Sequence, residues 1–494
     1  MNIPFHNRYI TLDDRFYVKT SPTPVSQPAL IRFNETLANS LGFSAADWED
    51  NDVAAVFAGN TVPQGAEPIA MAYAGHQFGN FVPQLGDGRA ILLGEVNGID
   101  GVLYGLQLKG SGPTYFSRNG DGRAALGPVL REYLLSEAMA CLNVPTTRAL
   151  CAVTTGDGVA REQFLPGGVI TRVASSFVRV GTFEYFRSRG DVEAIKGLAD
   201  YVIEHNYPGL AATENPYLSM LQAVVERQAA LIARWMHLGF IHGVMNTDNM
   251  SVAGETIDYG PCAFMDDYRH DKVFSSIDRH GRYAYHNQPA IGLWNLSRFA
   301  ECLVPLLAND TNVAIELAQQ VLTGFIEQYE SQWLSGMRAK CGLTEQKELA
   351  SSDKALIESL LTEMHENSAD FTLTFFHLSR VGGKSPEQDG DCRTLFTAPV
   401  AFDQWAVQWR ERLEKETRSD KERQAAMQAV NPVYIPRNHQ VEAVIRAAED
   451  GNDFSLFHKL HEVLQDPFVL QPGKENYQRP PEPEEVVKRT FCGT

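Results

Sequence analysis

The 494-residue sequence has no apolar run near the ~18 residues needed to span a bilayer, and no Cys-x-x-Cys pair. Its seven cysteines (Cys141, Cys151, Cys262, Cys302, Cys341, Cys392 and Cys492) are scattered and odd in number, which argues against a disulfide framework or a thiolate zinc site. Positive charge is also scarce: 43 Lys and Arg face 61 Asp and Glu, for a net charge of −18. Such a surface repels polyphosphate backbones and anionic headgroups, so neither nucleic acid nor a membrane is an expected partner. The opening residues MNIPFHNRYITLDDRF show no basic stretch followed by an apolar segment, and the cytoplasm is the expected compartment. Internal repeats are absent, and low complexity is confined to the tail RPPEPEEVVKRTFCGT. What is present is 44% hydrophobic and 21% charged, a balance able to bury a sizeable core. At roughly 150 residues per domain, about three domain-sized units are expected.

The texture of the chain changes along its length. Residues 1 to about 60 combine Pro-rich turns with an amphipathic stretch, Pro28 to Leu41, near helical spacing. From about 68 to 180, short apolar runs such as AILLGEV, GVLYGLQLKG and PGGVITRVASSFVRVG are divided by Gly and Asp, as in an antiparallel sheet. One helix, Gly127 to Leu142, interrupts them. Beyond 182 helical periodicity takes over, clearest in 218–238 and 294–307. A charge-dense helix is expected in ERLEKETRSDKERQAAMQAV, with two more helices after NPVYIPRN. The expected division is 1–180, an extension plus a sheet-rich lobe; 181–345, a helical lobe; and 346–494, a helical C-terminal region with a tail.

Four elements that could carry chemistry fall in an informative order. Gly86, Gly88 and Arg89 form a Gly-x-Gly-Arg turn entering a strand, where a backbone without side chains can approach phosphate; taken alone it reads as a hairpin turn. Lys109 ends the apolar strand LYGLQL, where on its own it reads as a lysine at the solvent end of a strand. Glu132 lies on the apolar stripe of the following helix and needs a partner. Lys109 is the expected partner, and Glu137 is the competing carboxylate. Fourth comes GFIHGVMNTDNMSVAGETIDYGP, in which His242 precedes Asn249 by seven residues and a hairpin-like MSVAGETI leads to Asp258-Tyr259-Gly260. Strand lysine, helix glutamate, loop asparagine and Asp-aromatic-Gly follow the order by which kinase folds hold ATP and metal. Valine, at Val244, stands where a kinase has its catalytic-loop Asp, and it cannot accept a proton. Asp248 is the nearest replacement, with loop capping as its alternative role. Arg172 and Arg179 are seven apart, so a regular strand would face them opposite ways; by pattern alone they read as surface residues, and only a bend or bulge brings both to one site. The loop SGPTYFSRNGDGRAALG adds Asp121 and Gly122, which on their own read as a turn.

The blocks YAGHQFGNFVPQLGDGRA, QLKGSGPTYFSRNGDGRAALGPVLREYL, TRVASSFVRVGTFEYF, HGVMNTDNMSV, IDYGPCAFMDD and NQPAIGLWNLSRFAECLVPLL together resemble the selenoprotein O (SelO/YdiU) family over most of residues 1–300. That resemblance implies an α+β, protein-kinase-like bilobal fold with an N-terminal extension and a helical C-terminal region. It further implies an adenylyltransferase in which ATP lies reversed relative to kinases and AMP passes to protein Ser, Thr or Tyr hydroxyls. Carried over by position, Gly86, Gly88, Arg89, Lys109, Asp121, Gly122, Arg172, Arg179 and Asp258 would hold nucleotide, with Lys109 paired to Glu132. Asp248 would accept the proton, and Asn249 and Asp258 would bind Mg²⁺ or Mn²⁺. The resemblance also implies UMP transfer from UTP with Mn²⁺, and a bond between Cys262 and Cys492. A kinase-type phosphotransferase and a silent nucleotide-binding scaffold are the alternative functions.

Overall fold

Gly and Asp punctuation divides residues 17–174 into ten strands and three helices. The computed structural model describes residues 2–46, 48–382 and 389–490. In chain order the elements are β1 (Tyr17–Lys19), β2 (Ala29–Phe33), α1 (Glu35–Ser40), α2 (Asp50–Phe57), β3 (Ile69–Met71), β4 (Gly75–Gln77), β5 (Asn80–Val82), β6 (Ala90–Asn97), β7 (Leu103–Lys109), β8 (Ala124–Ala125), α3 (Leu126–Cys141), β9 (Arg148–Ala160) and β10 (Phe164–Ala174). Eight strands form one sheet in the order β1-β3-β6-β7-β10-β9-β2, with β8 on β10. Every pairing within it is antiparallel, as the alternation of apolar runs and turns predicts. β4 and β5 form a separate hairpin.

The amphipathic stretch Pro28 to Leu41 is not one helix. Its first half is β2, paired with β9, and Asn34 stops the strand and caps α1 by accepting from the Leu37 amide at 3.1 Å. Apolar residues at both periods made the stretch ambiguous, and sheet pairing decided it.

The second half of the chain is helical: α4 (Val180–Arg187), α5 (Val192–Asn206), α6 (Pro216–Leu238), the pair β11 (Phe240–Ile241) and β12 (Ala263–Phe264), α7 (Gln288–Leu307), α8 (Thr311–Lys340), α9 (Ala350–Asn367), α10 (Phe371–Leu378), α11 (Gly390–Arg393), α12 (Pro399–Leu413), α13 (Asp420–Gln428), α14 (Asn438–Gly451) and α15 (Ser455–Leu464). α6 starts where Asn215 accepts from the Leu218 amide and ends at left-handed Gly239, and it packs on α7 and α8. The charge-dense stretch expected as one helix is two, α12 and α13. Ser419 and Glu422 form a reciprocal capping box that restarts the chain. Nor is MSVAGETI a hairpin: Ser251 bridges to Arg179 and Thr256 to Thr146, so its arms pair with different neighbours.

One element organises the site. α3 lies with one face on β9 and β10 and another against α14 and α15, so the C-terminal region covers the helix that carries Glu132. Leu130, Tyr133, Leu134 and Met139 of α3 are buried in the main core. No helix among the described residues is long and apolar enough to cross a membrane.

Candidate active site

A lysine at the end of β7, a glutamate on α3 and an arginine on β10 meet because these three elements are adjacent. Lys109 Nζ lies 2.7 Å from Glu132 Oε2, and Arg172 Nε donates to Glu132 Oε1 at 2.5 Å. Glu137, the competing carboxylate, instead accepts from Arg148 and from the Ala149 amide. Asp258 closes the group: it accepts from Arg172 Nη2, from Arg179 Nη1 at 2.9 Å, and lies 3.5 Å from Lys109 Nζ. By pattern the two arginines read as surface residues, yet both are buried, because ion pairing with Glu132 and Asp258 compensates their charge and the backbone brings them together. The β10–β9 register shifts between Thr171 and Arg172, and the strand ends at Ala174, so that Arg179 arrives from the N-cap of α4.

The electrostatics follow from burial and neighbours. Burial pushes Lys109 below the ordinary lysine range, helped by Arg172. Burial alone would raise Glu132 and Asp258, but the surrounding cations outweigh it, and Asp258 is held well below the usual carboxylate range. Two further carboxylates behave oppositely. Asp87, which accepts from the Met71 amide and Gln107, is raised by burial to about 6. Asp248 is raised by burial to about 7, with Arg179 opposing.

Asp248 sits within a one-turn helix, Thr247–Asn249, whose N-cap position is Asn246, so its carboxylate is not the cap. Its backbone oxygen accepts from the same Arg179 Nη1 that binds Asp258, at 2.8 Å. Gln77 donates to Oδ2 at 3.3 Å, while Oδ1 is shielded from solvent and has no hydrogen-bond partner. Such an orphan oxygen has full capacity to accept a proton or approach a cation. Asn249 donates Nδ2 to the Val244 carbonyl at 3.0 Å, leaving Oδ1 as its ligand atom. Asn249 Oδ1, the Asp258 carboxylate and the free Asp248 oxygen are hard donors of the type Mg²⁺ and Mn²⁺ take, so the residues present fit such an ion. Asp258 itself has φ +63°, a left-handed conformation that Asp tolerates and that is concentrated at functional sites.

The remaining predicted residues surround this cluster without joining it. Gly86 has φ +72°, and a side chain there would meet the Phe116 ring at 2.2 Å; the Gly86 and Gly88 amides already donate to the Tyr73 and Gly86 carbonyls. The turn is therefore shaped by packing on residues 114–117 and delivers Arg89 to a cavity of about 770 Å³ lined also by Lys109, Glu132, Tyr259 and Gly260. Asp121 is bound by Arg161 Nη1 at 2.8 Å and by the Arg123 amide, and reaches the cavity only through Arg161. Gly122 packs against the backbone of Gly112. Cys262 is buried beside β12, and Cys492 lies outside the described residues.

A profile of the family described as protein adenylyltransferase SelO matches residues 1–465. The chain belongs to the SelO family. A protein nucleotidyltransferase YdiU of Bradyrhizobium sp. (strain ORS 278) is 56% identical over the full length of both chains. Those of Rhodopseudomonas palustris (strain BisB5) and Agrobacterium fabrum are each 57% identical over at least 99% of both chains. With that membership, this SelO-family chain is an enzyme of the nucleotidyltransferase class.

In this SelO-family chain the residues that sequence reasoning missed are of two kinds: Asp87 and Tyr73 lie against Arg179 of the cluster, and the others support the loop. His76 Nδ1 lies 2.5 Å from Glu184 Oε1, Thr247 donates to the other Glu184 oxygen, and the His76 amide donates to Thr247 at 2.6 Å. Tyr73 stacks under the Arg179 guanidinium at 4.6 Å. The signal was polar residues in apolar surroundings: Glu184 inside the aromatic GTFEYF and three polar residues in AGHQFGN. Gly75 is needed because the hairpin of β4 and β5 presses on the loop. A side chain there would stand 2.5 Å from Asp248 Oδ1 and 2.9 Å from its Cβ. Gly75→Ala is expected to displace Asp248, cutting transfer about tenfold or more while costing about 1–3 kcal/mol of stability. Initial rates set beside the melting temperature check it, and an unchanged rate would mean that the hairpin does not position Asp248.

Proposed function

We propose that this chain transfers AMP from ATP to a hydroxyl of a protein, releasing pyrophosphate, and that it does so on a two-lobed, kinase-like scaffold divided near residue 180, with a helical C-terminal region from about 346. The observation that carries this reading is the buried, half-unpartnered Asp248 bound through Arg179 to Asp258, in a loop whose kinase-like base position is Val244. A base displaced from the usual position suits a reacting phosphorus displaced likewise, as it is when ATP lies reversed and the α-phosphate faces the acceptor.

Each residue then has a task that its chemistry suits. Arg89 and Lys109, with Asp121 and Gly122 shaping the rim, meet the phosphates at the cavity. Lys109, Arg172 and Arg179 are fixed donors for charge that develops on the departing pyrophosphate, and their pre-set geometry costs no reorganisation. Glu132 keeps Lys109 and Arg172 in place. Asp248 takes the hydroxyl proton as the oxygen bonds to the α-phosphorus and the bond to pyrophosphate breaks. Asn249 and Asp258 would hold Mg²⁺ or Mn²⁺, which supplies charge neutralisation on the phosphates. Protein hydroxyls, ATP and, with Mn²⁺, UTP are the proposed substrates.

Incubation with ATP labelled at either the α- or the γ-phosphate, and with α-labelled UTP in parallel, tests the reading. Covalent α-label on protein, with pyrophosphate released, is the expected result. Transfer of γ-label alone would replace the reading with a phosphotransferase, and binding of ATP without transfer of either label to any of a broad set of proteins would favour a scaffold.

A further inference from the structure

Among the described residues, a group of ligating side chains outside the nucleotide cluster comes from two separate elements. After β12, residues 266–271 run alongside the C-terminal end of α9. The approach is fixed by backbone: the Phe371 amide donates to the Asp266 carbonyl at 2.8 Å and the Tyr268 amide to the Ala369 carbonyl at 2.9 Å. Arg437 clamps it from below, pairing Asp266 at 2.5 Å and Asp370 at 2.8 Å. His270 and Asp271 are thereby set opposite His365 on α9. The His270 and His365 rings are 4.5 Å apart between centroids, and one ligand atom from each of His270, Asp271 and His365 lies within 4.8 Å of the others. His286 braces the group, with Nδ1 2.9 Å from the His270 carbonyl. His365 Nδ1 is shielded from solvent and has no hydrogen-bond partner.

We propose that His270, Asp271 and His365 form a zinc-type site, separate from the nucleotide site, that ties the segment following Asp258 to α9. Two imidazoles and a carboxylate with open positions suit Zn²⁺ and its neighbours Co²⁺ and Ni²⁺, whereas the all-oxygen set at Asn249 and Asp258 suits Mg²⁺ and Mn²⁺. Bonds of about 2.0–2.2 Å put tetrahedral ligand atoms about 3.3–3.6 Å apart, so the side chains must close by about 1 Å. His270 and Asp271 are both exposed, so adjusting their side chains displaces no core packing. Asp271 now pairs with Arg269 at 3.3 Å, an exposed contact that yields at little cost.

The test uses the full-length protein in excess Mg²⁺, titrated with Zn²⁺ by calorimetry and with Co²⁺ by visible absorption. Uptake of one equivalent of each ion is expected, with ligand-field bands for Co²⁺ and slowed amide exchange in residues 266–272 and 363–367 on adding Zn²⁺. His270→Ala and His365→Ala are each expected to weaken binding by at least about tenfold, and His280→Ala to leave it unchanged. His270→Asn and His365→Asn replace any alanine variant whose melting shows misfolding. Absence of stoichiometric uptake, or uptake indifferent to both histidine positions, overturns the site.

Discussion

Asp258→Asn is expected to reduce nucleotidyl transfer by about 10³-fold or more and to lower the melting temperature by several degrees. The carboxylate is the common acceptor for Arg172 and Arg179 and lies 3.5 Å from Lys109. An amide removes the charge and turns an N–H₂ toward a guanidinium. Glu132 is then left to balance Lys109 and Arg172, while Arg179 keeps only the Asp87 carboxylate at 3.9 Å, and stranding charge in this way costs about 3–5 kcal/mol. Transfer from α-labelled ATP and thermal melting, with circular dichroism to confirm folding, check both halves. Acid melting adds a signed test. Because the folded-state pKa of Asp258 is depressed, its contribution is present above the ordinary carboxylate pKa near 3.8 and is lost as pH falls through the lower folded value. Between pH 6 and 9 the contribution of Asp258's own charge is therefore constant, and the large stability gap between wild type and variant should collapse only in strong acid. A variant retaining a tenth of the wild-type rate would remove this cluster from the chemistry.

Much of the cluster was legible because its members sit on elements with plain periodicity. Lys109 ends an apolar strand, Glu132 interrupts an apolar helix stripe, and the antiparallel pairing of β7 with β10 brings Arg172 opposite Gln107. A buried carboxylate on such a stripe demands a cation, and the preceding apolar strand ends on one, Lys109. What was not legible depended on register and on contacts between distant loops. The bulge at Thr171 and Arg172 leaves no mark in a run of β-branched residues. The β4–β5 hairpin places Gln77 on Asp248, 171 residues away, through a turn whose composition resembles any other loop. Gly86 and Gly88 show the converse: the motif suggested amides open to phosphate, yet those amides are engaged and the glycines serve the packing of Phe116. The covering of α3 by α14 and α15 was invisible for a similar reason, since amphipathic helices do not name the face they meet.

Asp248→Asn is expected to lower transfer by about 10²–10⁴-fold, the range for loss of a positioned base, while ATP binding persists. The distinctive part is its pH dependence. With a folded pKa raised to about 7, Asp248 is ionised only above that value, so wild-type transfer should climb through about pH 7 and level off. The residual activity of the variant should lack that rise. Asp87, raised to about 6, also titrates nearby, and Asp87→Asn should leave the rise near 7 in place. Stability runs the other way. A carboxylate whose folded pKa exceeds its unfolded one binds more protons when folded, so it costs stability as pH climbs from about 4 to about 7 and the cost is constant above. Asp248→Asn removes that cost, a few kcal/mol for a shift of about three pK units. The variant should melt no lower than wild type at pH 8, and lose its relative advantage at pH 4. Inactive yet at least as stable is the pattern of a residue kept for chemistry against the interest of the fold, and it is the opposite of the pattern expected for Asp258. A loop-orienting role predicts a lower melting temperature with the pH profile intact, and a scaffold predicts no change in function at all.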